Sequence, residues 1–263
     1  MKVGMCLPFE IGLDEVKKVL KEEGGDFWEG NYSNLAHLEQ AEFDKINSFI
    51  KSIELPLTHC NCFISENYFD APEMREQGKE YVKRSFERFS KTDLRHITFG
   101  SGKARATNEN RNKEETRKIL ADFCGEFLAP LAKDYGYIIG MEPLNSGETD
   151  IFTTTTETFD FVKKINLPEI RMIVDFYHFN KEKADVAVLK NYKGYISHIH
   201  ISDTNRRSPK PEIPEEKALY DAFWSELIPI CGDNVCISME CWTVKPHGET
   251  FDYLREVIKT YKK

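Results

Sequence analysis

The chain has 263 residues, of which 40% are apolar and 30% are charged, and its formal net charge is −8. This composition excludes a disordered chain, and the negative charge argues against a nucleic-acid partner, because the protein would repel a phosphate polymer. Seven cysteines without a C-x-x-C pair indicate a reduced, cytoplasmic protein. The first residues lack the apolar run of a signal peptide, and no stretch is long enough to cross a membrane, so we expect no membrane partner.

Short apolar segments rich in Val, Ile, Phe and Tyr alternate with helical patterns along the whole chain. The eight predicted strands cover residues 3–7, 26–29, 55–62, 96–100, 138–144, 171–177, 195–202 and 235–241. The eight predicted helices cover residues 13–23, 34–52, 78–91, 113–135, 154–165, 184–192, 219–230 and 249–261.

Eight strand–helix repeats without a change in composition predict a parallel sheet, and at this length a closed (β/α)₈ TIM barrel. We therefore expect one barrel domain over residues 1–263. An open doubly wound sheet is the alternative, although the chain has no glycine-rich nucleotide motif to favour it. Long connections at residues 63–77, 101–112 and 205–217 are typical of lids or binding loops.

Four of the predicted strands end in ionisable residues, where a buried strand would otherwise finish in small or apolar ones. These residues are Glu142, Asp175, His200 and Glu240. Because the carboxyl ends of barrel strands converge on one mouth, we expect the four side chains to meet there. Each acid taken alone would usually be a helix cap or an ion-pair partner. Three crowded carboxylates, however, repel one another, and a divalent cation resolves that conflict.

Three oxygen ligands and one imidazole favour a single Mn²⁺ ion, with Mg²⁺ or Co²⁺ as alternatives. Zn²⁺ is less favoured because no cysteine is placed to join the set. His198 lies one pleat deeper than His200 on the same strand, and we interpret it as a packing residue or a residue behind the metal ligand. His59 and His96 also lie in strand-like segments, where a structural role is favoured over a place at the mouth.

Several segments of the second half resemble a known family. They are EPLNSGET at residues 142–149, DFYH at 175–178, HISDTNRRSP at 200–209 and SME at 238–240, with a further likeness in FGSGKAR at 99–105. They resemble the xylose-isomerase-like TIM barrel superfamily of sugar phosphate isomerases and epimerases. Within it, the sequence looks most like the D-tagatose 3-epimerase and D-psicose 3-epimerase group.

The resemblance implies a metal-dependent isomerase, either a sugar epimerase or an aldose–ketose isomerase of carbohydrate metabolism, with a small ketose or related sugar as substrate. It implies that Glu142, Asp175, His200 and Glu240 bind the metal and that Glu148, His178 and Arg206 hold the sugar oxygens. The chemistry would be proton transfer next to a carbonyl, through an enediolate held by the metal. Glu142 and Glu240 lie three strands apart, roughly 135° around the mouth, and would act as the two catalytic groups on opposite faces of the substrate. Members of the superfamily are often homodimers or homotetramers.

One departure leaves alternatives open. The loop PKPEIP at residues 209–214 stands where relatives usually have a glycine-rich turn, so we expect the chain to take a different path beside Arg206 and its substrate. An inosose dehydratase or a hydroxypyruvate isomerase would use the same four ligands, and a non-catalytic sugar-binding barrel would keep only the fold. An endonuclease IV-like nuclease is disfavoured, since it needs more histidines. Lys103 with Arg105, or Arg206 with Arg207, offers an alternative role in holding a phosphate.

Overall fold

The computed structural model describes residues 1–109, 111–241 and 247–262. Eight parallel strands pair in chain order and close into a barrel, which confirms the predicted fold class. They are β1 Val3–Cys6, β2 Phe27–Asn31, β3 Leu57–Asn61, β4 His96–Phe99, β5 Ile138–Met141, β6 Ile170–Asp175, β7 Ile196–Ile201 and β8 Cys236–Met239. Pairing of β1 with β8, with Gly4 opposite Ser238, closes the ring.

Helices surround the barrel and bury the outer faces of its strands, as parallel sheets require. They are α1 Leu13–Lys17, α2 Tyr32–His37, α3 Gln40–Ser52, α4 Pro72–Phe89, α5 Gly102–Arg105, α6 Lys113–Asp122, α7 Ala129–Tyr135, α8 Thr155–Ile165, α9 Phe176–Lys181, α10 Pro214–Leu227 and α11 Gly248–Tyr261. Among the described residues there are also two π-helical turns, Lys18–Glu22 and Phe123–Leu128, and three 3₁₀ helices, Phe9–Ile11, Val186–Tyr192 and Ile228–Ile230. In the part of the chain that the structure describes, no helix is long and apolar enough to span a membrane.

Several predicted helices differ from the structure. Residues 18–22 of the predicted helix 13–23 are π-helical, and the predicted helix 184–192 is the 3₁₀ helix Val186–Tyr192. Two longer predicted helices are interrupted, one at a tertiary contact and one at a proline. The predicted helix 34–52 is split into α2 and α3, since Arg88 Nη1 donates to the backbone carbonyls of Ala36 and Leu38, at 2.7 and 2.6 Å, and satisfies the end of α2. The predicted helix 113–135 contains Pro130, which has no N–H to donate, and the helix passes through the π-helical turn just before it.

Strand β6 ends earlier than predicted, and this change matters for the site. The predicted strand 171–177 stops at Asp175, whose carboxylate accepts a hydrogen bond from the backbone N–H of His178 at 3.1 Å. Asp175 thereby caps α9, a short helix that the sequence pattern did not reveal. Since α9 begins at once, it places His178 at the mouth one turn beyond Asp175.

Aromatic and imidazole rings fill part of the barrel interior below the mouth. The ring of His59 lies 4.5 Å from that of Phe27 and 4.4 Å from that of His198, centroid to centroid, and His96 lies 5.1 Å from His198. All four residues are buried, as expected of packing residues. These rings therefore fill the barrel interior beneath the strand ends.

Candidate active site

The four predicted strand-end residues meet at the carboxyl-terminal mouth of the barrel. One ligand atom from each of Glu142, Asp175, His200 and Glu240 lies within 4.8 Å of the others. His200 Nδ1 lies 3.2 Å from Glu142 Oε1, 3.5 Å from Glu240 Oε2 and 3.8 Å from Asp175 Oδ2. The imidazole therefore stands at the centre of three carboxylates that come from three other strands. Their role as metal ligands stays a prediction.

The donor set is chemically suited to one divalent cation. Asp175 and His200 have no exposed surface, Glu142 is 5% exposed, and the Glu240 side chain is 20% exposed. Buried carboxylates gathered this closely need positive charge nearby, because burial disfavours the charged form. Three oxygen donors and one nitrogen donor fit an ion of hard or intermediate character.

The two glutamates differ in their electrostatic surroundings. Burial raises the pKa of Glu142, and the negative charge of Glu240 adds to the rise. Burial also raises the pKa of Glu240, but the charges of Arg206 and His200 outweigh it and hold the pKa well below its usual range. The pKa values of the two carboxyls are thus shifted in opposite directions within one site.

Arg206 is the cation that contacts this cluster directly. Its Nη1 donates to Asp175 Oδ2 at 2.7 Å and to Glu240 Oε2 at 2.5 Å, and its guanidinium lies 4.3 Å from the centroid of the Tyr177 ring. The backbone of Arg206 has a φ of 57°, a left-handed conformation uncommon for a residue other than glycine. Asp203 holds this turn, since its carboxylate accepts from the backbone N–H groups of Asn205 and Arg207 at 2.7 and 2.8 Å.

His178 and Arg206 contact each other at the mouth. Both ring nitrogens of His178 face donors: the backbone N–H of Asn145 lies 3.0 Å from Nδ1, and Arg206 Nη2, which can only donate, lies 2.6 Å from Nε2. Glu148 lies further out, with its side chain 47% exposed and its Oε1 3.9 Å from His178 Nδ1. Asn145 Nδ2 donates to Glu148 at 2.6 Å and thus links it to His178.

The cavity above these residues has a volume of about 430 Å³ and is lined by Glu142, Glu148, His178, Arg206 and Glu240 together with polar residues of the first half. A second cavity of about 420 Å³ adjoins it and shares Asn31, Asn61, Cys62 and Glu240 with it. Leu7, Pro8 and Ile11 give the second cavity an apolar wall. Five of the seven predicted site residues thus face one space, with Asp175 and His200 at its floor.

The phosphate alternative gains little from this geometry. Arg105 is fully buried and donates to the backbone carbonyls of Phe99 and Glu142, at 3.1 and 2.6 Å. Arg207 Nε donates to Asp203 Oδ2 at 2.8 Å. Both arginines are therefore engaged by the protein itself. Of the other two basic residues, both of which line the main cavity, Arg206 is bound to Asp175 and Glu240, which leaves Lys103 as the remaining candidate for a phosphate.

Glu29 is a buried residue of the site that sequence reasoning missed, as it also missed the contacts of Asn61, Tyr177 and Asp203. It has no exposed surface, and its Oε1 and Oε2 lie 3.0 Å from His200 Nε2 and 2.9 Å from His198 Nε2. Burial raises the pKa of Glu29, but the charges of His200 and His198 outweigh it, and the pKa lies well below its usual range. A signal was present, since Glu29 ends a predicted strand just as the four recognised residues do.

Carboxylates, an imidazole and a guanidinium thus gather at the carboxyl-terminal end of a closed barrel. This arrangement defines a TIM-barrel protein whose functional residues lie at the ends of its strands. The family described as "Xylose isomerase-like TIM barrel" matches residues 18–261, so the chain belongs to that family, as predicted.

Two named relatives show different extents of similarity. The 3-dehydro-D-guloside 4-epimerase of Escherichia coli (strain K12) is 23% identical over 221 residues, which cover 81% of this chain and 82% of the relative. A D-psicose 3-epimerase of Enterocloster bolteae is 30% identical over 83 residues, which cover 31% of this chain and 28% of that enzyme. The likeness to the first relative therefore spans most of the barrel.

Solved structures share the fold at low identity. The 3-keto-D-glucoside 4-epimerase YcjR from E. coli has a TM-score of 0.75 at 21% identity, covering 98% of this chain and 99% of that one. The D-allulose 3-epimerase from Methylomonas sp. in complex with D-allulose has a TM-score of 0.78 at 16% identity, covering 99% of this chain and 97% of that one. The IOLI protein, described with a binding zinc atom, has a TM-score of 0.70 at 18% identity, covering 99% of both chains.

Proposed function

We propose that this protein is a metal-dependent sugar epimerase or aldose–ketose isomerase that moves a proton next to a carbonyl group. The observation that carries the proposal is the meeting of Glu142, Glu240, His178 and Arg206 in one cavity at the barrel mouth. Family membership and the epimerase activities named for the relatives support it. We further propose that residues 1–263 work as one cytoplasmic barrel domain, assembled as a homodimer or homotetramer.

Glu142, Asp175, His200 and Glu240 would hold one divalent metal, with Mn²⁺ as our first choice and Mg²⁺ or Co²⁺ as alternatives. The bound ion supplies Lewis-acid stabilisation of the negative charge that develops on the substrate's oxygens. The zinc atom described for the related IOLI protein makes Zn²⁺ a further ion to test.

Glu142 and Glu240 are the proposed acid and base. Both approach His200 Nδ1, at 3.2 and 3.5 Å, from strands on either side of β6 and β7. Epimerisation requires that one group remove a proton from one face of a carbon and another group return a proton to the opposite face. Two carboxyls that flank the same space meet this need, while an aldose–ketose isomerisation would use only one of them.

His178 and Arg206 orient the substrate in this proposal. Arg206 Nη2 and His178 Nε2 lie 2.6 Å apart in the structure, and in this proposal a substrate oxygen replaces that contact and is bound by both side chains. Glu148 would bind a neighbouring hydroxyl at the outer edge of the cavity. The sugar carbon that loses its proton is thereby fixed between the two glutamates, which is the proximity that proton transfer requires.

A keto-glycoside is the second candidate substrate beside a free ketose. The apolar cavity bounded by Leu7, Pro8 and Ile11 adjoins the reaction cavity at Glu240, with a volume of about 420 Å³. A substituent on the sugar would enter this second cavity, whereas a free ketose fills the first alone. The keto-glycoside activity named for the E. coli relative agrees with this alternative.

The test is a substrate panel with purified protein and added Mn²⁺, followed by NMR of the products. The panel contains ketopentoses and ketohexoses, 3-keto glycosides, inososes, hydroxypyruvate and a duplex with an abasic site. We expect reversible epimerisation or isomerisation of a ketose or a 3-keto glycoside, lost in Glu142→Gln and Glu240→Gln. Turnover of an inosose or hydroxypyruvate alone would assign the other enzymes of the superfamily, and binding of a sugar without turnover would indicate a non-catalytic barrel.

A further inference from the structure

Glu29 bridges two histidines across the barrel interior. It lies on β2, while both of its partners lie on β7, which is separated from β2 by β8 and β1. Each carboxylate oxygen contacts one ring, Oε1 at 3.0 Å from His200 Nε2 and Oε2 at 2.9 Å from His198 Nε2. An ionised carboxylate can only accept hydrogen bonds, so both Nε2 atoms must carry a proton.

The bond to Glu29 determines which nitrogen of His200 faces the carboxylates at the mouth. Nε2 is turned to Glu29, and Nδ1 is turned to Glu142 Oε1 at 3.2 Å and to Glu240 Oε2 at 3.5 Å. A ring that keeps its Nε2 proton can offer an Nδ1 lone pair to an electrophile, whereas the other tautomer cannot.

The surroundings of Glu29 offer weak substitutes for the carboxylate. Cys6 Sγ lies 3.9 Å from His200 Nε2, and a protonated thiol is a poor acceptor. On the other ring, Ser238 Oγ lies 3.1 Å from His198 Nε2. His59 and His96 pack on the far side of His198, with ring centroids 4.4 and 5.1 Å away. Removing the carboxylate would leave both Nε2 protons without a charged acceptor.

We propose that Glu29 is a positioning residue that holds the Nε2 protons of His198 and His200 with its two oxygens and so directs Nδ1 of His200 at Glu142, Asp175 and Glu240. His198 completes the arrangement, because it fixes the second oxygen of Glu29 from below. Only the consequence for metal affinity rests on the proposed function. Carboxylates behind a metal-bound histidine typically change metal affinity or activity about 10- to 100-fold when removed.

The first readout needs no metal. In metal-free protein with ¹⁵N-labelled histidine, ¹H–¹⁵N NMR should show two downfield Nε2 protons that exchange slowly with water, one from His198 and one from His200. Glu29→Gln, which keeps the shape of the side chain but has one carbonyl oxygen, should lose one of them, and Glu29→Ala should lose both. Retention of both signals in Glu29→Ala, or their absence from the wild-type spectrum, would overturn the proposal.

Calorimetric titration with Mn²⁺ is the second readout. We expect the affinity to fall about 10- to 100-fold in Glu29→Gln, with part of the turnover recovered at high Mn²⁺ concentration. Thr98→Val is the matched control, since Thr98 is a fully buried strand residue whose Oγ1 has no hydrogen-bond partner among the residues that the structure describes. It should leave both NMR signals and the affinity unchanged, and an equal loss in this variant would contradict a specific role for Glu29.

The two proposals fail in different ways. Wild-type protein that neither binds Mn²⁺ nor converts any sugar would refute the proposed function, while the NMR series would still decide the role of Glu29. Unchanged Mn²⁺ affinity in Glu29→Gln, in a protein that does bind the ion, would refute only the effect on the metal. If Glu29→Ala does not fold, as judged by circular dichroism, the Gln variant alone gives the decisive NMR result.

Discussion

The two halves of the barrel contribute different kinds of residue to the same mouth. Strands β5 to β8 end in or beside Glu142, Asp175, His200 and Glu240, which are ionisable and gather within 4.8 Å. Strands β1 to β4 end in the uncharged residues Cys6, Asn31, Asn61 and Phe99, and Glu29 lies two residues before the end of β2. The second half therefore carries the groups proposed to react.

The first half affects those groups in two ways: it forms hydrogen bonds with them, and it leaves room for their side chains. Asn61 Nδ2 donates to Glu240 Oε1 at 3.2 Å, and Glu29 holds His200. Gly100, just after β4, leaves room for the Glu142 carboxylate, because a Cβ at this position would meet Glu142 Oε2. The first half thus shapes the site although it contributes none of the groups proposed to react.

The largest effect on activity should come from substitutions of the two glutamates in the second half of the barrel. Glu142→Gln and Glu240→Gln should each lower kcat by about 1,000-fold, because an amide can neither accept nor return the proton. Glu256→Gln, on the exposed surface of α11, is the control and should leave kcat unchanged. Steady-state kinetics on the substrate found in the panel provide the measurement, and a loss below tenfold in both variants would contradict the assignment.

A large effect on kcat should also come from the first half of the barrel, where Gly100 has no reactive group but borders Glu142. Gly100→Ala should lower kcat about 100-fold, because the added methyl group displaces the Glu142 carboxylate. Gly125→Ala is the matched control, since a Cβ there meets no atom within 4 Å. Normal activity in Gly100→Ala would show that Glu142 has freedom that the structure does not indicate.

The turn that presents Arg206 should give a smaller effect, and mainly on substrate binding. Asp203→Ala removes the acceptor for the backbone N–H groups of Asn205 and Arg207 and so releases Arg206 from its left-handed conformation. We expect KM to rise about tenfold with a smaller change in kcat, which corresponds to about 1.4 kcal/mol. Arg207→Ala keeps those backbone hydrogen bonds and should have the weaker effect. A fall in kcat without a change in KM would argue against this role.

The last substitution lies far from the mouth and should change the stability of the protein but not its activity. Arg88→Ala should lower the free energy of unfolding by about 1–2 kcal/mol, because the carbonyls of Ala36 and Leu38 at the end of α2 lose their donor. Turnover at 25 °C should not change. Urea denaturation measures the difference, and Arg84→Ala, at an exposed position of the same helix, is the control. An equal effect of the two substitutions would contradict the capping role.

Much of the fold and of the reacting half could be predicted from the sequence. All eight strands were identifiable because buried parallel strands are short and apolar, and the acids and histidine at their ends break that pattern. The meeting of Glu142, Asp175, His200 and Glu240 follows from barrel closure, which brings separate strand ends to one place.

The rest depends on contacts between distant segments. The break between α2 and α3 comes from Arg88, some 50 residues further along the chain. The need for Gly100 comes from a carboxylate on the neighbouring strand, and the π-helical turn before Pro130 is a local response to a missing N–H. Glu29 ended a predicted strand, but its meaning depends on two histidines that lie across the barrel interior.

The most direct test of the central claim is a crystal of the protein soaked in Mn²⁺, with an anomalous difference map recorded near the manganese edge. The account predicts one strong peak, about 2.2 Å from an oxygen of Glu142, Asp175 and Glu240 and from His200 Nδ1. The absence of a peak at the mouth, or a peak that contacts fewer than three of these residues, would contradict it.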